Sequence, residues 1–335
     1  MRAPAPIAVL GAGAFGTALA IQLTRRGAAG FLWGRDATVM ATMQESRENV
    51  RYLRGCHLPA PLIATSDLEA VVADAGDLLI ATPSPALRET CQRLAPLLRP
   101  EQGIACACKG LEPHSGRFAH EVIAEELGSE RSVAIISGPT FAKELGLGLP
   151  TAVTVASTDA AFAERIAQAL HGDGFRAYTS NDVVGVEIGG AAKNVLAIAV
   201  GIADGLGLGA NTRAAMITRG LNEISRLATA LGAQRETLMG LAGLGDLVLT
   251  CTDNQSRNRR LGMLLGQGKT VAEAQAALEG VVEGVRAAPE VLRLAQRCGV
   301  QMPLLEMASA VIAGEVSPIA AVQRLAERPQ RAEAN

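Results

Sequence analysis

The stretch Ile7–Gly16, IAVLGAGAFG, decides the fold of the first half of the chain. Its first four residues are apolar and partly β-branched, which predicts a short buried strand. In the turn that follows, Gly11 permits a sharp bend, Gly13 lets a pyrophosphate approach the backbone, and Gly16 lets the next helix pack closely. That helix begins with free N–H groups, which suit phosphate. Strand, glycine turn and helix in this order predict a dinucleotide-binding unit.

The second strand, Phe31–Trp33, runs into Gly34-Arg35-Asp36, which bears on the identity of the dinucleotide. An acid near this position binds the ribose hydroxyls of NAD, whereas an arginine accommodates the 2′-phosphate of NADP. Both residue types are present, and an ordinary solvated turn residue is the simplest alternative for Arg35. The sequence therefore favours NADP modestly as the cofactor and leaves NAD open.

Further short apolar runs predict a mostly parallel α/β sheet across roughly the first 180 residues. The runs are Asp77–Thr82, Gly103–Cys108, Val133–Ile136, Thr151–Ser157 and Phe175–Tyr178. In such sheets ligands bind outside the carboxyl ends of the strands. Lys109 and the loop Ser137–Thr140 directly follow two of these runs, so they are candidate ligand contacts. For Lys109 alone, a surface lysine in a loop is the more common alternative.

After Ser180 the apolar pattern changes from strands to helices, with Gly or Pro at the helix ends. The predicted helices are Val186–Asp204, Thr212–Leu231, Thr270–Leu278, Val285–Cys298, Pro303–Ala313 and Ser317–Ala326. We therefore predict a sheet domain over residues 1–182 and an all-helical domain over residues 183–328. A polar tail at residues 329–335 is expected to be frayed.

The helix Val186–Asp204 is apolar or glycine on all sides between its ends, apart from Lys193 and Asn194. Such a helix is buried in a core, and a lysine is almost never fully buried without a partner. A buried lysine is a natural proton donor or acceptor near neutral pH. The alternatives are that Lys193 extends to the surface or pairs with Glu187. The two polar residues leave no run of about 18 apolar residues, so stable membrane insertion is not expected.

A long polar loop, GLAGLGDLVLTCTDNQSRNRRLG at Gly240–Gly262, is predicted to interrupt the helical half. A guanidinium fork matches phosphate geometry, so the segment suits an anion. Its candidate ligand contacts are Asp246, Thr250, Ser256, Arg257 and Asn258. The plain alternative is a solvated basic run from Arg257 to Arg260. A nucleic-acid patch is disfavoured, because the run lacks interleaved aromatic residues and the chain is slightly acidic.

Composition narrows the classes of partner. The net charge of -2 gives no general attraction to nucleic acid or to an anionic membrane. The six cysteines and four histidines show no metal-ligand spacing, so no metal is expected. Scattered cysteines and the lack of a signal-peptide hydrophobic block favour a cytoplasmic protein.

Together these segments resemble NAD(P)-dependent glycerol-3-phosphate dehydrogenase of the bacterial type, over nearly the whole chain. The resemblance rests on GAGAFGTALA, HLP at His57–Pro59, ACKGLE around Lys109, ISGPTFAKE, GVEIGGAAKN, GLAGLGDLVLTCTDNQSRNRR and VVEG at Val281–Gly284. It implies an α/β plus all-α fold. The N-terminal part would be a Rossmann-like doubly wound sheet, and the C-terminal part a helical domain like that of 6-phosphogluconate dehydrogenase.

The resemblance also implies the site residues. The catalytic residues would be Lys193, Lys109, Asp246 and Asn194. The substrate would be bound by Lys109, Gly138, Thr140, Lys193, Asp246, Thr250, Ser256, Arg257 and Asn258. The cofactor would be bound by Gly11, Gly13, Ala14, Phe15, Gly16, Arg35, Lys109, Ala142, Arg257, Val281 and Glu283. Ala14 departs from the small hydroxyl residue that many members carry, which would remove one side-chain contact to the cofactor.

The implied reaction is the reversible reduction of dihydroxyacetone phosphate to sn-glycerol 3-phosphate with NADH or NADPH, which feeds glycerophospholipid synthesis. Lys193 would act as general acid and base, while Arg257 and Asn258 would hold the substrate phosphate. The expected partner is a small phosphorylated triose, with no nucleic acid and no stable membrane insertion, and a homodimer stays open.

Two other functions stay open from the sequence. A β-hydroxyacid dehydrogenase of similar architecture would also carry a lysine on its interdomain helix, but it would bind a carboxylate instead of a phosphate. A nucleotide-sensing protein would bind NADP without turnover, and the polar pair Lys193-Asn194 inside an apolar helix argues against it.

Overall fold

The structure is a computed structural model that describes residues 6–25, 27–278, 280 and 282–329. The chain forms two compact units that divide between Glu187 and Ile188. The division falls inside the helix Val183–Gly205, and the sequence places the domain boundary at the first residue of this helix. We call residues 6–187 the sheet unit and residues 188–329 the helical unit.

Eight strands form one sheet in the described part of the sheet unit. They are β1 (Ile7–Leu10), β2 (Gly30–Trp33), β3 (Leu62–Thr65), β4 (Asp77–Ile80), β5 (Ile104–Cys106), β6 (Val133–Ser137), β7 (Thr151–Ala156) and β8 (Phe175–Ser180). Their order is β3-β2-β1-β4-β5-β6-β7-β8, and neighbouring strands are parallel except β6 and β7. The order reverses at β1, where Leu10 pairs with both Trp33 and Ile80. Such a reversal creates the crevice in which doubly wound sheets bind ligands.

Helices connect these strands. They are α1 (Ala14–Thr24), α2 (Ala37–Ser46), α3 (Leu68–Asp74), α4 (Leu87–Leu94), α5 (Ala119–Leu127), α6 (Ala142–Leu147) and α7 (Ala160–Leu170). Asp36, Asp67 and Asp159 cap α2, α3 and α7, because each carboxylate accepts a hydrogen bond from the third backbone amide of its helix. These caps fix where the chain turns from strand-end loop into helix.

The predicted sheet architecture is confirmed, with one strand more than the sequence predicts. Strand β3 lies at the edge of the sheet, where Leu62 and Ala64 face inward and Ile63 is exposed. The core against the sheet is built from aliphatic residues and a few aromatic ones, including Val9, Leu79 and Phe162.

The helical unit contains only helices and loops among its described residues. The helices are α8 (Val183–Gly205, which begins in the sheet unit), α9 (Gly209–Ala230), α10 (Arg235–Met239), α11 (Asp246–Thr252), α12 (Arg257–Gly266), α13 (Val271–Ala276), α14 (Glu283–Arg297), α15 (Pro303–Ile312) and α16 (Pro318–Ala326). A π-helical segment at Leu241–Gly245 leads into α11. The predicted all-helical second half is therefore confirmed. The prediction of a loop at Gly240–Gly262 is wrong, because the π-helical segment, α11 and the start of α12 occupy most of that stretch.

Helices α8 and α12 pack backbone against backbone through two pairs of glycines. A Cβ at Gly201 would collide with the carbonyl oxygen of Arg259, and a Cβ at Gly205 would collide with that of Met263. Gly262 and Gly266 approach the carbonyl oxygens of Ile198 and Ile202 in the same way. Because no side chain separates the helices, the first turn of α12 is held at a fixed distance from the middle of α8.

Helix α8 is long and apolar enough to cross a membrane, the one such helix among the described residues. Of its most apolar window, 94% is buried inside the protein. A helix whose apolar surface is already covered by protein is typical of a core helix.

Candidate active site

Lys193 is buried in the helical unit and bonds to two side chains of α11. It is 6% exposed, and its Nζ donates to Oδ1 of Asp246 at 2.5 Å and to Oγ1 of Thr250 at 3.1 Å. Asp246 is 1% exposed, so the ion pair is removed from water. Thr250 donates its own hydroxyl to the carbonyl oxygen of Asp246 at 2.6 Å, which leaves its lone pairs facing Lys193. A lysine held in this way can give or take a proton at a fixed position.

A glycine in α8 and the π-helical segment explain how Asp246 reaches Lys193. A Cβ at Gly189 would lie 2.5 Å from the carbonyl oxygen of Ala242, so only glycine lets this segment approach α8 one turn before the lysine. Helix α11 begins directly after the segment. Asp246 and Thr250 are four residues apart on α11 and therefore face the same side.

Glu187, the alternative partner for Lys193, bonds to His120 within the sheet unit. Its Oε1 accepts from the backbone N of His120 at 3.1 Å, and its Oε2 contacts Nδ1 of the ring. Burial alone would lower the pKa of His120. The hydrogen bond and the negative charge of Glu187 outweigh burial, so the pKa of His120 is raised.

Asn194 links three helices through its side-chain amide. Its Oδ1 accepts from Nδ2 of Asn258 at 2.9 Å, and its Nδ2 donates to Oε2 of Glu283 at 3.3 Å and to the carbonyl oxygen of Gly190 at 3.3 Å. The Oδ1 of Asn258 then accepts from the backbone N of Gly284 at 2.9 Å. Asn194 thus lies between a residue assigned to the substrate phosphate and one assigned to the cofactor.

The first turn of α12 presents donors to an anion. Ser256 caps the helix by accepting from the backbone N of Arg259 at 3.2 Å, and both Ser256 and Asn258 are buried. Arg257 is exposed, and its guanidinium lies against the backbone of Gly280. A helix N-terminus with a guanidinium beside it suits a phosphate.

Arg259 is buried, which corrects the alternative of a solvated basic run from Arg257 to Arg260. Its Nη2 and Nε donate to Oδ2 of Asp204 at 2.6 and 3.0 Å, and its Nη1 contacts Oδ1 of Asn254. Arg213 binds the other oxygen of Asp204 at 2.8 Å. The sequence pattern gives no sign of this pairing, since Asp204 lies at the far end of α8. The pair anchors the start of α12 to α8.

In the sheet unit, Lys109 lies with three other candidate residues at the carboxyl edge of the sheet. Its Nζ donates to the carbonyl oxygen of Gly138 at 3.0 Å and lies 5.4 Å from the centre of the Phe15 ring. Thr140 donates its hydroxyl to the same Gly138 oxygen at 3.2 Å. The cation is therefore placed beside the start of α1, where the glycine turn ends.

The glycine turn fits a dinucleotide pyrophosphate. Gly11 has a φ of 123°, in the region that favours glycine, and a Cβ there would lie 2.7 Å from the carbonyl oxygen of Ala81. A Cβ at Gly13 would meet nothing within 4 Å, so the space beside the turn is open. No side chain caps α1 and its first turn holds no acid, so the positive end of the helix faces this space.

The remaining cofactor candidates begin or follow other elements within the two units. Arg35 follows β2 and is exposed, Ala14 and Ala142 begin α1 and α6, and Glu283 begins α14. Val281 lies outside the described residues.

Two cysteines near the candidate residues have raised pKa values. Burial raises the pKa of Cys251 to about 12, although Lys193 and Arg259 lower it. Cys106 also has a raised pKa, because its side chain bonds to Cys108 and is buried. Within residues 6–25, 27–278, 280 and 282–329, no three His, Cys, Asp or Glu side chains group as a metal site.

Comparison with known proteins gives one consistent result. The sequence patterns of the N-terminus and the C-terminus of NAD-dependent glycerol-3-phosphate dehydrogenase match residues 6–163 and 182–323. A glycerol-3-phosphate dehydrogenase (NAD(P)+) of Xanthomonas euvesicatoria is 54% identical over 98% of this chain and 96% of its own. The crystal structure of glycerol-3-phosphate dehydrogenase from Coxiella burnetii matches with a TM-score of 0.93 and 47% identity, over 97% of this chain and 99% of its own. The yeast enzyme matches with a TM-score of 0.84 and 25% identity, over 97% and 100%.

Proposed function

Because this chain belongs to the NAD-dependent glycerol-3-phosphate dehydrogenase family, we propose that it reduces dihydroxyacetone phosphate reversibly to sn-glycerol 3-phosphate. It is an oxidoreductase that uses NAD or NADP. We assign cofactor binding to residues 1–182 and substrate binding to residues 183–328. The observation that carries the proposed chemistry is the buried contact of Lys193 with Asp246 and Thr250.

Lys193 is the proposed general acid. When bound, the reduced nicotinamide supplies the hydride that reduces the substrate carbonyl carbon. Lys193 donates a proton to the oxygen of that carbonyl as negative charge develops, and it takes the proton back in the reverse direction. Asp246 and Thr250 fix the position of Nζ and stabilise its charged form. A fixed proton donor lowers the reaction barrier more than a mobile one, because the reacting atoms must be aligned in the transition state.

The substrate phosphate is proposed to bind at the first turn of α12. Arg257 provides a bidentate guanidinium, Ser256 and Asn258 provide polar groups, and the helix N-terminus adds positive potential. Phosphate binding at a distance from the carbonyl orients the reacting end of the substrate. The network of Asn194 with Asn258 and Glu283 supports this turn from α8 and α14.

Lys109 is proposed to contact both substrate and cofactor. Its contact with Gly138 and its position near Phe15 favour a role beside the glycine turn. A cation there stabilises the negative charge that develops on the substrate oxygen. Gly138, Thr140 and Ala142 complete the proposed contacts from the neighbouring loop.

The assay that tests this function follows the absorbance of reduced nicotinamide with dihydroxyacetone phosphate, using NADH and NADPH in turn. Oxidation of either cofactor that depends on dihydroxyacetone phosphate supports the function. Turnover of 3-hydroxy acids with NADP or NAD, without turnover of the phosphorylated ketone, would contradict it and favour a β-hydroxyacid dehydrogenase.

We further propose that the enzyme acts in the cytoplasm and supplies glycerol phosphate for glycerophospholipid synthesis. Its proposed partners are small molecules, without nucleic acid or stable membrane insertion. Light scattering of the purified protein distinguishes a monomer from a homodimer.

A further inference from the structure

Arg35, the residue proposed to meet the 2′ position of the cofactor ribose, faces an acid of α4. Its Nη1 lies 3.7 Å from Oε1 of Glu89, and the two side chains are 66% and 59% exposed. An exposed ion pair of this kind is weak, so a ligand anion can displace it at little cost. Glu89 therefore competes with a ligand anion for Arg35, but the ligand anion can still displace it and bind Arg35.

A second contact between α4 and β2 shows that the face of α4 that carries Glu89 is turned toward the end of β2. The guanidinium of Arg93 lies 4.9 Å from the centre of the Trp33 ring, and the indole of Trp33 donates to the carbonyl oxygen of Ser66 at 3.0 Å. Glu89 and Arg93 are four residues apart on α4, so they share a face of the helix. The carboxylate of Glu89 thus belongs to a surface that packs along the end of β2.

The acidic residue that follows Arg35 in the sequence already has a structural role. Asp36 caps α2, and its Oδ1 accepts from the backbone N of Val39 at 3.1 Å. In dinucleotide-binding sheets, the side chains at the end of this strand distinguish the 2′-hydroxyl of NAD from the 2′-phosphate of NADP. At this position Arg35 attracts a phosphate and Glu89 opposes one.

We propose that Glu89 is a specificity-determining residue that narrows the preference for NADP over NAD by competing with the 2′-phosphate for Arg35. This inference rests on the proposed use of both dinucleotides. The 2′-phosphate brings negative charge close to the carboxylate, whereas the ribose hydroxyl of NAD carries none. Glu89 therefore weakens the binding of NADP and leaves that of NAD nearly unchanged. Because both side chains are exposed, the effect is modest and falls with ionic strength.

The test is calorimetric binding of NADP+ and NAD+ to the full chain and to Glu89→Gln, at low and at high salt. We expect the variant to bind NADP+ about three- to fivefold more tightly at low salt, with the gain reduced at high salt. The Kd of NAD+ should change by less than about twofold. Glu101→Gln is the matched control, because Glu101 also pairs with an arginine at the surface but lies before the amino end of β5, whereas Arg35 follows the carboxyl end of β2.

The inference would be overturned if the ratio of the two Kd values in Glu89→Gln stayed unchanged, either because neither Kd changed or because both changed by the same factor. Neither result depends on turnover. A failure of the proposed function is seen separately, as absence of nicotinamide oxidation by the unaltered protein with dihydroxyacetone phosphate.

Discussion

Lys193 and Asp246 form a buried ion pair inside the helical unit, with Nζ and Oδ1 2.5 Å apart. The two residues are 53 positions apart in sequence. They meet because a glycine in α8 admits the π-helical segment before α11. A charge buried in this way is stable only with its partner present.

Removal of the carboxylate charge tests the role of this pair. Asp246→Asn should lower kcat by about 100-fold or more, because Lys193 loses the group that holds its charged form in place. Steady-state kinetics with dihydroxyacetone phosphate measure the change. Val248→Ala, on the exposed side of the same helix, is the control and should keep normal kcat. A kcat within about threefold of normal in Asp246→Asn would exclude a catalytic role for the pair.

Loss of the proposed phosphate contact should act mainly on substrate binding. Arg257→Ala is expected to raise the KM for dihydroxyacetone phosphate by about 10- to 100-fold, since a charge-assisted bidentate contact is lost. The exposed neighbour Arg260→Ala provides the control and should leave the KM near normal. Equal KM values for the two variants would remove Arg257 from the phosphate site.

The pair Asp204–Arg259 should contribute to stability more than to chemistry. Asp204→Ala leaves Arg259 buried without its carboxylate and is expected to destabilise the protein by about 3 to 5 kcal/mol. Urea unfolding measures the loss. Asp253→Ala, beside α12 but outside this pair, should cost clearly less. A loss below about 1 kcal/mol in Asp204→Ala would show that the pair does not anchor α12.

Glu223 should make stability depend on pH. Its carboxylate accepts from the backbone N of Leu304 at 3.0 Å and of Leu305 at 3.4 Å, at the start of α15. Burial raises the pKa of Glu223 to about 7 from its ordinary 4.5, although the two amides lower it. Between these values the folded protein holds a proton that the unfolded chain releases, so the contribution of Glu223 to stability falls as pH rises.

Thermal unfolding of Glu223→Gln measures this effect. The stability of the variant minus that of the unaltered protein should be larger at pH about 8 than at pH about 5. The reason is that the neutral amide of the variant does not ionise as pH rises. Glu236→Gln, at an exposed position, is the control. Its stability should differ from that of the unaltered protein by the same amount at both pH values. If Glu223→Gln behaved like this control, the buried carboxylate would not be titrating in that window.

Most local elements could be predicted from the sequence, whereas their partners could not. The run Ile7–Gly16 predicts β1, the turn and α1, because glycine spacing and apolar residues act locally. The apolar surroundings of Lys193 predict its burial, but the identity of its partner depends on packing between α8 and α11. Motif resemblance supplied Asp246 as a catalytic candidate, and no spacing rule did.

The misses have different physical origins. Strand β3 has four residues and one exposed face, so its sequence carries little of the signal that marks a buried strand. Arg259 stands in the basic run RNRR, and only tertiary packing pairs it with Asp204. Antiparallel pairing of β6 with β7 likewise depends on chain direction, which short apolar runs do not specify.

The most direct test of the proposed chemistry is turnover of dihydroxyacetone phosphate by Lys193→Ala, with NADP+ binding measured by calorimetry on the same sample. Lys269→Ala, an exposed lysine of the same unit, serves as the control and should turn over normally. We predict that Lys193→Ala binds NADP+ with a normal Kd and loses turnover by about 1,000-fold or more. Near-normal turnover in Lys193→Ala would contradict the assignment of this lysine as the general acid.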